Sequence, residues 1–217
     1  MFKSFSTLTA TAVLVFLSAI AIAEQGEFLP YKDVHSESEL GKSVDSRVLF
    51  FAHFTCPYCR QAHGYLGDWG DGLPRPYRFE IVPAVGLKEH VPMASAFYAA
   101  LQIAPEKMPQ FIDAMYAQLQ DTGRATGDKH AYLNAAASVG ITADHFSRVV
   151  VGDKTRRYVE RAAELTKIYS VNEVPSLVVA NRFATAPARV GNDKQLTLSL
   201  LNGLLSQDMQ AKGFEAR

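Results

Sequence analysis

The sequence predicts an α/β fold in which a block of helices is inserted between the two halves of one unit of strands and helices. An apolar segment rich in β-branched and aromatic residues, 47–54, is followed at once by an amphipathic helix. A long stretch, 87–170, then shows helical periodicity. A strand pair and a Leu-rich helix follow it. The order is therefore strand, helix, strand, helical block, strand pair and helix.

The N-terminus predicts a cleaved export signal over residues 1–23. Met1-Phe2-Lys3 is a short basic start, residues 8–23 carry no charge, and Ala21-Ile22-Ala23 has the small-x-small pattern that a signal peptidase reads. A membrane anchor is the weaker alternative, because a spanning helix needs about 20 apolar residues. We expect cleavage after Ala23 and a mature protein outside the cytosol.

The first half of the α/β unit is predicted at 24–86. It holds a short strand near 29–34, a buried strand at 47–54, a helix that begins at Pro57, and a second strand at 77–82. Proline suits the first helical position, where its missing N–H would have no partner in any case. The apolar stripe of this helix consists of Cys59, Ala62, Leu66 and Trp69.

The insertion is predicted at 87–170 and the second half at 171–217. Helices are expected at 93–102, 106–119, 128–139, 142–150 and 153–169, with their Met and aromatic residues in the core. The second half holds a strand at 176–180, a turn, a short strand that begins at Phe183, and a helix at 192–205. The composition, with 48% hydrophobic and 20% charged residues and no net charge, is that of an ordinary globular protein. It gives no indication of nucleic acid as a partner.

The only two cysteines of the chain, Cys56 and Cys59, are separated by Pro57 and Tyr58 at the predicted start of the first helix. In an oxidising compartment they are expected to form a disulfide, yet a bridge this short closes almost no loop and stabilises little. Unpaired N–H groups and the helix dipole favour a thiolate at Cys56, whereas Cys59 is expected to be buried. The asymmetry predicts a thiol–disulfide exchange catalyst with Cys56 as nucleophile and Cys59 as resolving partner.

The CPYC segment between a strand and a helix, the helical insertion, and Val174-Pro175 before the strand SLVVA together resemble the DsbA family of periplasmic thiol:disulfide oxidoreductases. The resemblance covers about residues 29–205 and implies a thioredoxin-like fold with a helical insertion domain. It implies that Pro175 is cis and lies beside the disulfide. It also implies that Val174 offers backbone groups to an extended client peptide, on the same surface as Pro57 and Tyr58.

The resemblance further implies an exported dithiol oxidase in the periplasm, with no cofactor other than the Cys56–Cys59 disulfide. Its clients would be unfolded or newly exported cysteine-containing proteins. Its reoxidant would be a membrane quinone-linked partner of the DsbB type. We expect a monomer, because residues 24–46 are too few for the N-terminal dimerisation domain that isomerases of this superfamily carry.

Two departures from the family leave the redox poise open. The best-known oxidases carry Pro-His between the cysteines, whereas Tyr58 brings no cationic ring, and Pro-Tyr is the dipeptide of the more reducing glutaredoxins. Many thioredoxin-like proteins bury an acid six residues before the first cysteine, where this chain has Phe50. A periplasmic reductase or isomerase of more reducing poise is therefore the alternative function.

Two remoter hypotheses concern a metal and an inactive scaffold. His53, Cys56, Cys59 and His63 have a spacing that superficially suits zinc, but His63 lies about 10 Å along the helix from Cys56, so four ligands are not expected to converge. His53 is expected either to tune Cys56 or to be an ordinary half-buried histidine. We expect His63 to be partly exposed, and the remaining histidines to be surface positions: His35, His90, His130 and His145. Retention of both cysteines disfavours a redox-inactive chaperone module.

Overall fold

The computed structural model describes residues 29–214, in which five strands form one sheet. The strands are β1 (Tyr31–Asp33), β2 (Arg47–Ala52), β3 (Arg78–Pro83), β4 (Ser176–Val179) and β5 (Phe183–Thr185). Their order across the sheet is β1-β5-β4-β2-β3. The pair β2–β3 is parallel, and the other neighbouring pairs are antiparallel.

The helices follow the predicted order, except that a short first helix, α1, was not predicted. The first half contains α1 (Glu39–Lys42) and α2 (Pro57–Asp71). Between β3 and β4 lie α3 (Val91–Ile103), α4 (Met108–Tyr116), α5 (Lys129–Ser138), α6 (Ala143–Val150) and α7 (Asp153–Ile168). The last helix of the described chain is α8 (Lys194–Ala211). The predicted α/β fold with a helical insertion is confirmed.

Strand β2 occupies the interior of the sheet because its apolar sequence can be buried on both faces. Every residue from Val48 to Ala52 is fully buried. The strand ends at Ala52, earlier than the predicted Phe54, because the chain turns there toward α2 and the N–H of Cys56 donates to the carbonyl of His53 at 3.0 Å. The cysteine pair is thereby placed at the end of the most buried strand.

Helix α2 begins at Pro57 as predicted, but its buried stripe differs at one position. Cys59, Ala62 and Leu66 are buried, and the fourth buried residue is Gly70 rather than Trp69. A Cβ atom at Gly70 would lie 2.5 Å from Cγ of Phe79, so only glycine allows the helix to approach β3 this closely. Trp69 lies at the edge of this contact, where its Nε1–H donates to Asn202 at 2.8 Å.

The insertion is held together by the apolar core that its periodicity predicts. Helix α3 contacts each of α4, α5, α6 and α7. The buried face of α4 contains Met108, Phe111, Ile112 and Met115. The α-helix was expected to continue to Leu119, but it ends at Tyr116 and continues as a π-helical turn over Ala117–Asp121. A π turn changes the direction in which the following side chains point, so regular 3.6-residue periodicity does not apply there.

The closing helix α8 continues to Ala211, beyond the predicted end at Leu205. The apolar pattern stops at Leu205, but the next turn of α8 still has a buried residue, Asp208. Asp208 accepts hydrogen bonds from the hydroxyl of Tyr77 at 2.6 Å and from Nζ of Lys212 at 2.8 Å. A polar residue that is buried because it is paired does not show as part of an apolar stripe.

The predicted export signal, residues 1–23, lies outside the described residues. Within residues 29–214, no helix combines the length and the apolar character required to cross a membrane.

Candidate active site

Cys56 is the N-terminal cap of α2. Its backbone is extended, with φ −85° and ψ 116°, and its Sγ accepts a hydrogen bond from the N–H of Cys59 at 3.4 Å. Pro57 occupies the first turn. The sulfur therefore takes the place that a serine or aspartate oxygen usually holds at a helix start. Unpaired N–H groups and the positive end of the helix dipole favour a negative charge at this position.

The Cys56 thiol is acidic in this structure, in which both cysteines are free thiols. The hydrogen bond from the thiol of Cys59 is the largest cause that lowers the pKa of Cys56, to about 6. The backbone N–H groups of Cys59 and Tyr58 lower it further, while partial burial acts in the opposite direction. At pH 7 about nine-tenths of Cys56 is therefore thiolate, the nucleophilic form.

Cys59 has the opposite character. It is completely buried, and the hydrogen bond with Cys56, together with burial, raises its pKa far above the usual range for a thiol. The backbone N–H of His53 donates to Cys59 and acts in the lowering direction. One sulfur is thus accessible and ionised at neutral pH, and the other is protonated and shielded from water.

The second half of the chain brings Val174 and Pro175 to the cysteine pair. Strand β4 lies antiparallel to β2, with Phe51 opposite Ser176. The Val174–Pro175 peptide bond is cis, as expected. The Sγ of Cys56 lies 3.5 Å from the carbonyl oxygen of Val174, to which it donates a hydrogen bond when it is protonated. The reactive sulfur and this backbone carbonyl therefore share one surface.

A groove of about 530 Å³ lies beside Cys56. One wall contains Glu173 and Val174 from the segment before β4, and another contains Leu87 from the beginning of the insertion. Leu87 is 57% exposed, and Tyr58, two residues after Cys56, is 54% exposed. The groove thus offers apolar and backbone groups next to the nucleophile.

His90, which the sequence places at the surface, is partly exposed and forms part of this groove. Its ring packs edge-on against His53, with ring centroids 4.6 Å apart. Nδ1 of His53 lies 2.6 Å from the hydroxyl of Thr55. Burial and the charge of His90 lower the pKa of His53 to about 4. His53 is therefore neutral at neutral pH and provides no charge to the Cys56 thiolate.

The zinc hypothesis finds no support in the geometry. Among residues 29–214, no three or more His, Cys, Asp or Glu side chains are arranged to hold a metal ion. His63 instead lies beside Tyr116, with ring centroids 6.0 Å apart, and burial lowers the pKa of His63.

Three residues of the insertion reach the cysteine loop and were not anticipated from the sequence. Nε2 of Gln120 donates to the carbonyls of Phe54 and Cys56 at 3.0 and 3.1 Å. Asp121 makes two hydrogen bonds with the guanidinium of Arg60, at 2.6 and 3.0 Å. The ring of Tyr116 packs against Phe54 at 5.1 Å. These residues lie in or next to the π-helical turn, where regular helical spacing gives no signal.

Phe50, six residues before Cys56, lies in apolar surroundings in the structure. Phe50 is fully buried and stacks on Phe79 of β3, with ring centroids 6.0 Å apart. Glu80, on the same neighbouring strand, is bound by Arg47 and Arg161. The strand side of the cysteine pair therefore has a hydrocarbon ring where many thioredoxin-like proteins have an acid.

Comparisons with known proteins agree with this site. No family model matches the chain. The thiol:disulfide interchange protein DsbA of Bordetella parapertussis is 24% identical over 206 residues, which cover 94% of this chain and 97% of the relative. The crystal structure of Pseudomonas aeruginosa DsbA superposes with a TM-score of 0.74 at 18% identity, covering 85% of this chain and 94% of the other.

A second similar structure contains a peptide ligand. It is a complex of Proteus mirabilis DsbA with a non-covalently bound peptide, PWATCDS, with a TM-score of 0.65 and 16% identity, covering 82% of this chain and 96% of the other. The chain is thus similar along nearly its whole length to thiol:disulfide interchange proteins named DsbA, and it shares their thioredoxin-like α/β fold, with the CPYC pair at the start of α2.

Proposed function

We propose that this protein oxidises pairs of thiols in exported proteins to disulfides, by exchange through a Cys56–Cys59 disulfide. The observation that carries the proposal is the contrast between the two sulfurs. Cys56 is acidic and reachable at the start of α2, whereas Cys59 is buried and retains its proton. Only such an asymmetric pair gives one defined point of attack and one defined leaving group.

The reaction begins on the oxidised protein. A client thiolate attacks Sγ of Cys56, a bond forms between the two sulfurs, and the electron pair of the broken disulfide goes to Sγ of Cys59. The second client thiol then loses its proton and attacks the client sulfur of this mixed disulfide. Cys56 leaves as a thiolate, which its low pKa makes favourable, and Cys59 ends as a thiol.

The oxidising direction follows from the same electrostatics. Groups that stabilise the Cys56 thiolate stabilise the reduced protein and therefore make the disulfide a better oxidant. The hydrogen bonds from Cys59 and Tyr58 have this effect without a cationic ring between the cysteines. A reductase would need the reverse preference, so the alternative function of more reducing poise is not favoured.

The groove beside Cys56 is assigned to the client peptide, with the backbone of Val174 and the exposed ring of Tyr58 as contacts next to cis-Pro175. The peptide bound to the similar Proteus mirabilis protein contains a cysteine, which supports this assignment.

Residues 1–23 are assigned to an export signal and the mature protein to the periplasm, as a monomer. Reoxidation is assigned to a membrane quinone-linked protein of the DsbB type. The Cys56–Cys59 disulfide is the redox group, with no added cofactor.

Two serine variants test the roles of the cysteines. Cys56→Ser is expected to abolish oxidation of a reduced test protein, because no accessible sulfur remains. Cys59→Ser is expected to accumulate mixed disulfides with that protein through Cys56, visible on non-reducing gels and removed by dithiothreitol. Normal oxidation by Cys56→Ser, or adducts through Cys59 in that variant, would contradict the mechanism. An equilibrium titration of wild type against glutathione then separates an oxidase from a reductase.

A further inference from the structure

The groove beside Cys56 has a single carboxylate. Among the described residues that line it, Glu173 is the one Asp, Glu, Lys or Arg side chain. The ring of His53 is neutral, because burial and the charge of His90 lower its pKa to about 4. In the oxidised protein the disulfide between Cys56 and Cys59 carries no charge either. The Glu173 carboxylate is therefore the charge that an approaching client thiol meets.

Glu173 is held close to the reactive sulfur by the backbone. It precedes Val174, whose carbonyl oxygen lies 3.5 Å from Sγ of Cys56. The carbonyl of Glu173 itself accepts a hydrogen bond from the hydroxyl of Ser176 at 2.7 Å, which fixes the segment before β4. The side chain of Glu173 is 61% exposed, so a peptide in the groove can reach its carboxylate.

Arg189 reduces this negative charge but does not cancel it. Its guanidinium lies 3.9 Å from the Glu173 carboxylate, and both side chains are about half exposed. Exposed ion pairs of this kind are weak, because water solvates both partners. Arg189 lines a neighbouring cavity of about 450 Å³, which Glu173 also borders, but it does not line the groove beside Cys56. A client in the groove therefore contacts the carboxylate rather than the guanidinium.

We propose that Glu173 determines client specificity, by favouring segments that carry a lysine or arginine next to the reacting cysteine and by disfavouring acidic thiols. The inference rests on the proposed function, because it names the class of client that the same groove accepts. Opposite unit charges about 7 Å apart in water attract each other by an energy that corresponds to about a threefold change in rate, and like charges repel equally. Glutathione, which carries a net negative charge, belongs to the disfavoured class.

The carboxylate acts on the client and not on the nucleophile. The largest cause that lowers the pKa of Cys56 is its hydrogen bond with Cys59, and the further causes are burial and the backbone of CPYC, so Glu173 is not among them. The exchange step is unchanged: the client thiolate attacks Sγ of Cys56, the disulfide breaks, and the electron pair goes to Sγ of Cys59. Removing the charge of Glu173 should therefore alter which client reacts fastest and leave the acidity of Cys56 as it is.

The test is Glu173→Gln, with Glu89→Gln as the matched control. Glu89 is also exposed and lies in the 3₁₀ turn Lys88–His90, next to the groove, but it does not line the groove. The probes are two blocked tripeptides, Lys-Cys-Lys and Glu-Cys-Glu, each in excess over the oxidised protein. The measurement is the rate at which each peptide reduces the disulfide at pH 7, followed by acid quench and mass spectrometry. Each rate is divided by the wild-type rate with the same peptide, so that the intrinsic reactivity of the peptide thiol cancels.

At low ionic strength we expect Glu173→Gln to react about two- to threefold more slowly than wild type with Lys-Cys-Lys, and faster by the same factor with Glu-Cys-Glu. At a salt concentration of about 1 M, where the screening length is about 3 Å, both effects should disappear. Glu89→Gln should match wild type with both peptides. The ultraviolet thiolate titration of Cys56 in reduced Glu173→Gln should also match that of wild type.

The inference is overturned if Glu173→Gln changes both rates by the same factor or changes neither, or if Glu89→Gln alters their ratio equally. A shifted thiolate titration of Cys56 also overturns it, because the charge would then act on the nucleophile. The thermal midpoint checks folding, and Glu173→Lys, which should reverse the preference, tests the same charge a second time. If wild type selects peptides by charge but forms no disulfide in a reduced test protein, the proposed function fails and the specificity stands.

Discussion

Replacing Cys59 with alanine is expected to raise the pKa of Cys56, because the thiol of Cys59 is the largest cause that lowers this pKa from 9.0 to about 6. The lowered value makes about 90% of Cys56 a thiolate at pH 7, against about 1% for an unperturbed thiol. This difference favours the reduced protein about tenfold, or about 30 mV in reduction potential. Solvent screens the half-exposed sulfur, so these values are upper limits.

The alanine variant keeps the backbone N–H groups of residue 59 and Tyr58 that also lower the pKa. A hydrogen bond to a charged group contributes about 1.5–3 kcal/mol, so its loss should raise the pKa of Cys56 by about one to two units. Cys59→Ser is the matched control, because the serine hydroxyl can still donate, and its pKa should rise less. Ultraviolet absorbance of the thiolate against pH measures both variants, since each contains a single thiol.

Folding stability gives a second measure of the same interaction. The pKa of Cys56 is lower in the folded than in the unfolded protein, so its contribution to the stability of the reduced form is complete above pH 9 and is lost as the pH falls through about 6. The thermal midpoint of the reduced protein relative to the oxidised protein should therefore rise between pH 5 and pH 8. The reasoning is refuted if wild-type Cys56 titrates above pH 8, or if Cys59→Ala titrates as wild type does.

Two further predictions concern the scaffold around the site. Gly70→Ala should destabilise the protein by about 1–3 kcal/mol in denaturant unfolding, because the new Cβ would overlap Phe79. Gly67→Ala is the control: its Cβ meets no atom within 4 Å, so this substitution should stabilise the protein by about 0.5–1 kcal/mol. Equal effects of the two would contradict the close packing of α2 on β3. Gln120→Ala should lower the free energy of unfolding by about 1 kcal/mol and weaken the hydrogen-exchange protection of the loop around Cys56. Arg60→Ala, which removes an exposed ion pair at the same interface, should leave both quantities nearly unchanged.

Most of the catalytic loop was predictable because its determinants are local in sequence. The apolar strand before Cys56, the proline after it and the stripe that buries Cys59 lie within about 20 residues, so periodicity and capping rules locate them. The cis bond before Pro175 came from the family resemblance rather than from any local pattern. Gly70 took the buried place expected for Trp69, because the distance between α2 and β3 is a tertiary property that the helical pattern does not contain.

The contacts made by the helical block could not be predicted from one sequence. His90 is the last residue of a 3₁₀ turn, Lys88–His90, and meets His53 only because the chain returns from β3 to the groove. Gln120 lies in a π-helical turn, which has no periodic signature. Tyr116 belongs to the apolar face of α4, so the sequence indicates a core residue, and its unpaired hydroxyl appears only when the partners are counted in three dimensions.

Two properties of the active site therefore depend on different parts of the chain. The acidity of Cys56 arises from groups within CPYC itself, at the start of α2, so the preference for the thiolate depends little on the insertion. The insertion contributes instead to the backbone of the cysteine loop, where Gln120 donates to the carbonyls of Phe54 and Cys56. Because Gln120 binds carbonyl groups and not the sulfurs, the insertion should hold the loop in place while CPYC determines how oxidising the disulfide is. Substitutions in the two regions should then separate the stability of the loop from the reduction potential, which a site built from one continuous segment would not allow.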